Sequence, residues 1–182
     1  MKRAVFLDRD DTIIRNVPYL GDPARVELMP GAREGLILLR EAGWPLYIVS
    51  NQSGVGRGLI TKQQVRAVNE AMEEKLGGGY FADYYLCYAA PDDPYGAEER
   101  KPSPAMLQQA AQEHDLDLRG SVMIGDRGSD VMCGKNAGCV SILVLGHSGG
   151  DDVEEARKEA DFVARDLQEA AMWWLARTEG EL

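Results

Sequence analysis

The sequence predicts an α/β fold in which a mostly parallel sheet has helices on both faces, a three-layer Rossmann-like arrangement. Short apolar runs alternate with longer helical stretches along the chain, and strands separated by helices form parallel sheets. The chain has 182 residues, which fits one domain with a substantial core. We therefore expect a single domain over residues 1–182, with no insertion large enough for a separate cap domain.

Six short apolar runs predict the strands, because buried parallel strands read as continuous apolar segments bounded by turn residues. The first of these runs ends abruptly in charge, and polar clusters follow several of the others. The predicted strands are Ala4–Leu7, Pro45–Ser50, Tyr84–Tyr88, Val122–Ile124, Val140–Leu145 and a brief run near Phe162.

The predicted helices lie between these runs, and two of them have clear end signals. Gly43 follows the stretch Ala32–Ala42 as a C-terminal stop. Thr61 and Gln64 form a capping-box pattern at the start of a long helix that Gly77 ends. Further helices are predicted from Ser103-Pro104 to about His114, near Ser129–Ala137 and from Asp166 onwards.

Charge and composition narrow the choice of partners. The formal net charge of −10 argues against nucleic acid or an anionic membrane surface as a partner. No run approaches the roughly 18 apolar residues that span a bilayer, and too few apolar residues precede Asp8 for a signal peptide. The three cysteines form no framework of pairs. We expect a cytoplasmic monomer.

Four polar segments contain the residues that predict the chemistry. Three of them directly follow predicted strands, and ligands of such sheets bind beyond the carboxyl ends of the strands. We therefore expect all four to converge at one edge of the sheet, with the loop Thr12–Pro30 lying over it. The segments are FLDRDDT with Asp8 and Asp10, YIVSNQSG with Ser50 and Asn51, RKPSP with Arg100 and Lys101, and MIGDRGSD with Asp126 and Asp130.

The pair Asp8 and Asp10 predicts a cation and a phosphoryl reaction. Two carboxylates at the end of a buried strand cost free energy that a cation or a reaction explains. Mg²⁺ prefers a few oxygen ligands and accepts a substrate phosphate, so Asp8, Asp126 and the backbone carbonyl of Asp10 would form its site. Asp8 is the predicted nucleophile and Asp10 the acid/base. Ser50 and Lys101 would stabilise the phosphoryl oxygens.

The segments FLDRDDTI, SNQSGVGRG, RKPSPAML and IGDRGSD together resemble the haloacid dehalogenase superfamily over nearly the whole chain. Within it they look closest to the heptose-bisphosphate and histidinol-phosphate phosphatase family. The resemblance implies the same roles for Asp8, Asp10, Ser50 and Lys101, and Mg²⁺ bound by Asp8, Asp10 and Asp126. It places substrate contacts at Asn16 and Tyr19, at Asn51, Gln52 and Ser53, and at Arg100 and Arg127.

Three departures from the family pattern are visible. Asp11 stands where glycine is common, and Arg127 stands where lysine is common. Many members bind structural Zn²⁺ through cysteine and histidine in the loop after the third strand, which is Ala89–Lys101 here. Of that ligand set only Cys87 is present. Because Zn²⁺ needs about four N or S ligands, we predict no zinc and a buried, apolar role for Cys87.

The expected substrates are small phosphorylated metabolites, above all sugars, because short loops leave the site open. Arg57, Arg100 and Arg127 flank the motif loops of an acidic protein, which favours a second anionic group on the substrate. Surface ion pairs are the alternative for Arg57. The hypothesis is D-glycero-D-manno-heptose 1,7-bisphosphate cleaved at C7, with histidinol phosphate as its rival. A phospho-acceptor signalling domain is the alternative from another class, but it lacks the second aspartate.

Overall fold

The strands of the computed structural model, which describes residues 1–146 and 153–178, form one sheet. Within those residues the sheet has six strands in the order β3-β2-β1-β4-β5-β6, and all neighbouring pairs are parallel. The predicted fold class is confirmed. The strands are β1 Val5–Leu7, β2 Leu46–Asn51, β3 Asp83–Cys87, β4 Val122–Gly125, β5 Val140–Val144 and β6 Phe162–Ala164.

The helices connect these strands, and the predicted end signals are present. Thr61 and Gln64 form the capping box, and Gly77 ends its helix with a φ of 102°. In the described part of the chain no intervening segment folds into a separate cap. The helices are α1 Ala32–Glu41, α2 Ser53–Gly56, α3 Lys62–Leu76, α4 Ala105–His114, α5 Gly128–Ala137, α6 Val153–Glu159 and α7 Leu167–Thr178, with a 3-10 turn at Pro23–Arg25.

Both faces of the sheet are buried, because side chains alternate between them along each strand. In β1, Val5 and Leu7 pack into the core beneath α1 and α7, whereas Phe6 packs into the opposite core beneath α4. β1 lies between β2 and β4 at the centre of the sheet. The polar residue that follows Leu7 therefore emerges at the middle of the carboxyl edge.

None of the helices in residues 1–146 and 153–178 combines the length and the apolar character that crossing a membrane requires.

Candidate active site

A cavity of about 300 Å³ lies at the carboxyl ends of β1 and β2 and extends to the start of α5. The four polar segments of the sequence meet here, together with the loop that follows β1. The predicted site residues that line the cavity are Asp8, Asp10, Asn16, Tyr19, Ser50, Asn51, Gln52, Ser53, Arg100, Lys101 and Arg127.

The register of the central strands explains why these segments converge. Leu7 is paired with Ile48 of β2 and with Ile124 of β4, and the backbone N–H of Asp8 donates to the carbonyl of Ile124 at 2.9 Å. Asp8 therefore leaves the sheet between the two neighbouring strand ends. Ser50 lies two residues beyond Ile48, within the same carboxyl end of β2.

Lys101 provides a buried positive charge beneath the cavity. Its ammonium group donates to Asp8 Oδ1 at 2.7 Å, to Asp130 Oδ1 at 2.6 Å and to the carbonyl of Val49 at 2.7 Å. These contacts use all three of its donors. Burial alone would lower the pKa of Lys101, but Asp130 and Asp8 raise the pKa above its ordinary value. The ammonium therefore stays charged next to the predicted nucleophile.

Asn51 fixes the backbone of Lys101. The N–H of Lys101 donates to Asn51 Oδ1 at 3.1 Å, and the side-chain amide of Asn51 donates to the Lys101 carbonyl at 3.2 Å. This reciprocal pair joins the end of β2 to the segment before α4. Asn51, which the family resemblance makes a substrate contact, thus also positions the lysine.

Asp8, Asp126 and Asp130 form a buried acidic cluster in which one carboxylate oxygen of each lies within 4.8 Å of the others. Burial, followed by the charges of Asp8 and Asp130, raises the pKa of Asp126 to about 9. Burial also raises the pKa of Asp8, although Lys101 opposes that change. Three acids so close together are stable as carboxylates only near compensating positive charge.

The unpaired atom of this cluster fits a divalent cation. Asp126 Oδ1 is buried and has no hydrogen-bond partner among the described residues, and a buried polar atom without a partner is costly. Asp130 differs, because Lys101 occupies its Oδ1 and the N–H of Arg127 donates to its Oδ2 at 3.0 Å. The carboxylates of Asp8 and Asp126 therefore suit Mg²⁺, whereas Asp130 holds the lysine.

Asp10 has a separate set of partners. Arg9 Nη2 donates to both of its carboxylate oxygens at 3.0 Å, and Gln52 Nε2 donates to Oδ2 at 2.8 Å. The same amide nitrogen of Gln52 also donates to Ser50 Oγ at 2.9 Å. One glutamine thereby links the predicted acid/base to the predicted phosphoryl-binding hydroxyl.

Sequence reasoning missed two residues of this site. Arg9 is almost fully buried, with 1% of its surface exposed, and the sequence assigns it no role. An arginine next to two aspartates at a strand end is a signal for such a role, because a buried guanidinium needs an acidic partner nearby. The sequence gives Asp130 no role, because its contact with Lys101 depends on tertiary structure.

Asp11 has a left-handed backbone conformation, with a φ of 58°. Glycine adopts this conformation at no steric cost, and aspartate tolerates it better than most residues. The Asp11 side chain accepts a hydrogen bond from the backbone N–H of Asn16 at 2.9 Å. The departure from glycine is thus sterically explained, and it ties down the loop that enters the cavity.

The three predicted anion-binding arginines occupy different places. Arg100 is half-buried and Arg127 is exposed, and both line the cavity. Arg57 is exposed and is not among the lining residues. It follows the four-residue helix α2, and its backbone N–H caps the carbonyl of Ser53. The structure therefore brings two of the three arginines to the site.

The loop between β3 and α4 is ordered by its own backbone. The N–H of Gly96 donates to the carbonyl of Asp93 at 3.2 Å, and the N–H of Arg100 donates to the carbonyl of Gly96 at 3.1 Å. Cys87 is buried, as are the other two cysteines, which agrees with the expected apolar role. Neither group of possible metal ligands in the described residues includes Cys87, and the absence of zinc stays a prediction.

Comparisons with known proteins place this geometry in context. Residues 98–170 match a family model described as HAD-hydrolase-like. A D-glycero-D-manno-heptose-1,7-bisphosphate 7-phosphatase of Thermosynechococcus vestitus is 36% identical over 184 residues, which cover 93% of this chain and 94% of that protein. A relative with the same name in Chlorobaculum tepidum is 35% identical over 187 residues, 95% of this chain and 94% of that protein.

Among solved structures, the chain is similar to the D,D-heptose 1,7-bisphosphate phosphatase from B. bronchiseptica, which was crystallised with magnesium and phosphate. The TM-score is 0.83 and the sequence identity is 28%, with 97% of this chain and 99% of that chain covered. The similarity therefore spans the sheet and the cavity alike.

The raised pKa of Asp126 predicts how the metal-free protein responds to pH. Folding raises this pKa from 3.8 to about 9, so between these pH values the unfolded state loses the proton while the folded state keeps it, and the free energy of unfolding falls as the pH rises. Asp126→Asn removes this titration. In the presence of a chelator we expect the variant to gain stability relative to wild type as the pH rises over this interval.

Urea denaturation at several pH values measures this difference in the free energy of unfolding. With Mg²⁺ added at neutral pH we expect the wild type to be more stable than the variant, because the wild type binds the ion more tightly and is stabilised by it. A stability difference between the two proteins that is independent of pH would contradict the assignment of the buried proton to Asp126.

Proposed function

This chain belongs to the haloacid dehalogenase superfamily and is a phosphoric monoester hydrolase, and we propose that it cleaves D-glycero-D-manno-heptose 1,7-bisphosphate at C7 through an aspartyl phosphate. The observation that supports this mechanism is the contact between Lys101 and Asp8 at the base of the cavity. The names of the relatives support the substrate. Membership of this superfamily sets aside the signalling-domain alternative.

Asp8 is the proposed nucleophile. Lys101 holds its Oδ1 at 2.7 Å, which leaves Oδ2 to form the bond to phosphorus while the bond to the sugar oxygen breaks. The negative charge on the transferred group lies next to the buried ammonium, and Ser50 supplies a hydroxyl at the same strand end. Bound Mg²⁺, held by Asp8, Asp126 and the backbone carbonyl of Asp10, would neutralise charge and polarise the phosphoryl group.

Asp10 is the proposed acid and base. It gives its proton to the departing sugar oxygen in the first step and takes a proton from water in the second. That water attacks phosphorus, the bond to Asp8 breaks, and inorganic phosphate leaves. Asp10 is suited to this part because it is half-buried at the cavity wall and is held by donors on one side.

The cavity supports a small bisphosphate as substrate. Its volume of about 300 Å³ is at the lower end of the range for small-molecule sites. The protein has a net charge of −10, so a doubly phosphorylated sugar needs local cations. Lys101 lies at the base of the cavity, and Arg100 and Arg127 also line it. We assign the arginines to the phosphate that is not cleaved.

Two substitutions separate the roles of the paired aspartates. Asp8→Asn removes the nucleophile, and we expect turnover to fall on the order of 10³-fold or more. Asp10→Asn keeps the nucleophile but cannot activate water, so the phosphorylated protein should accumulate with p-nitrophenyl phosphate, whose leaving group needs little protonation. Stopped-flow release of p-nitrophenolate and intact-protein mass spectrometry measure the two effects.

Retained turnover in Asp8→Asn would contradict the nucleophile assignment, and unchanged kinetics in Asp10→Asn would contradict the acid/base assignment. Circular dichroism and the melting temperature establish that both variants are folded.

The arginines provide the test of substrate. For heptose 1,7-bisphosphate, we expect Arg100→Met and Arg127→Met each to raise KM by about 10-fold, the scale of one lost charge-assisted hydrogen bond. The KM for p-nitrophenyl phosphate should change little. Arg57→Met is the matched control, because Arg57 does not line the cavity.

The wild-type specificity constant kcat/KM is compared between heptose 1,7-bisphosphate and histidinol phosphate. We expect the bisphosphate to be preferred, because histidinol phosphate has no second phosphate for the arginines to bind. A preference for histidinol phosphate would reject the substrate proposal without affecting the proposed chemistry.

A further inference from the structure

Arg9 connects the cavity to helix α3 through an almost fully buried guanidinium. We infer that Arg9, held by Asn69 of α3, is a positioning residue that orients Asp10 and Gln52 for proton transfer. This inference rests on the proposed function, since it assigns a partner to the acid/base of that reaction. For Arg9 and Asn69 the sequence predicts no role.

The two terminal nitrogens of the guanidinium have three side-chain partners, whereas its Nε is buried without a partner among the described residues. Its Nη1 donates to Asn69 Oδ1 at 2.9 Å, and its Nη2 donates to both oxygens of Asp10 at 3.0 Å and to Gln52 Oε1 at 3.1 Å. With 1% of its surface exposed, Arg9 has almost no water to replace these acceptors. Its orientation is therefore set by Asn69 on one side and by the cavity wall on the other.

Arg9 also fixes the sense of the Gln52 amide. A guanidinium can only donate hydrogen bonds, so the amide oxygen of Gln52 must face it. The amide nitrogen is then directed at Asp10 Oδ2, at 2.8 Å, and at Ser50 Oγ, at 2.9 Å. If the guanidinium were displaced, the amide could rotate and present its oxygen to the carboxylate.

The same contacts distinguish the two oxygens of Asp10. Oδ2 accepts from both Arg9 and Gln52, whereas Oδ1 accepts from Arg9 alone among the described residues. Oδ1 is therefore the oxygen that stays more open to the leaving group and to water. It stays open because the amide nitrogen of Gln52, which Arg9 orients, is directed at Oδ2 instead.

Substitution of Asn69 changes this network at a position outside the substrate cavity. It is buried on α3 and is not among the residues that line the cavity. Asn69→Leu removes the acceptor for Arg9 at similar side-chain size, and Asn69→Asp at the same position keeps an acceptor oxygen. The two variants therefore differ in whether Arg9 Nη1 keeps an acceptor, and Asn69→Asp also places a negative charge next to the guanidinium.

The experiment compares two phosphate esters for each protein. The constant kcat/KM reports the steps up to phosphorylation of Asp8, and protonation by Asp10 is required there for the poor alkoxide leaving group of heptose 1,7-bisphosphate. For p-nitrophenyl phosphate, protonation of the leaving group by Asp10 is hardly required. We expect Asn69→Leu to lower kcat/KM about 10-fold or more for the heptose ester and by less than about three-fold for the aryl ester.

Asn69→Asp should recover most of the heptose activity. Arg9→Lys, which keeps the charge but loses the fork of donors, should show the same selective loss as Asn69→Leu. An equal loss on both esters would mean that the network only maintains the fold, and unchanged kinetics would mean that it has no role. Either outcome overturns the inference.

The wild type separates these failures from failure of the proposed function. If the wild type hydrolyses the aryl ester but not the heptose ester, the substrate proposal fails, and the same comparison is made with glycerol 3-phosphate as the alkyl ester. If the wild type hydrolyses none of these esters, the proposed function and the inference fail together.

Discussion

A buried ammonium group between two carboxylates is the interaction on which this site depends. Lys101 comes from a loop far along the chain and contacts both Asp8 and Asp130. Three acids gathered within a few ångströms would otherwise be driven towards their neutral forms. The lysine opposes the rise that burial causes in the pKa of the nucleophile, and it joins the end of β1 to the start of α5. The chemistry and the local fold therefore share one contact.

Asp8 and Asp10, which follow β1, differ because different side chains surround them. Asp8 faces the lysine and the acidic cluster, whereas Asp10 faces Arg9 and Gln52. Different surroundings are a general way to give two neighbouring carboxylates different catalytic roles. Here each of the two carboxylates contacts a buried cation. The lysine is a compact charge suited to phosphoryl oxygens, and the arginine is a fork suited to orienting planar groups.

The sequence predicted the parts of the molecule that depend on local patterns. Each strand appeared as an apolar run. The capping box could be predicted because Thr61 and Gln64 lie within one helical turn. The four-residue helix α2 is too short to show a period. Arg9 and its partner Asn69 are 60 residues apart, so their contact exists only once the fold brings α3 beside β1. For the same reason the sequence could not separate Arg57 from the arginines that line the cavity.

Depth within the cavity provides an electrostatic account of which phosphate would be cleaved. The Lys101 side chain is 2% exposed, whereas the side chain of Arg127 is 56% exposed. A cation acts more strongly where water is excluded, because the effective dielectric constant is lower there. A phosphate at the base would meet the fully desolvated ammonium and the Asp8 carboxylate together, whereas one at the mouth would meet solvated arginine. In the proposed complex both phosphates are bound, but only the deeper one can react. The burial of this lysine thus decides where in the cavity phosphoryl transfer occurs, and the contact of the arginines with the other phosphate decides which ester lies there.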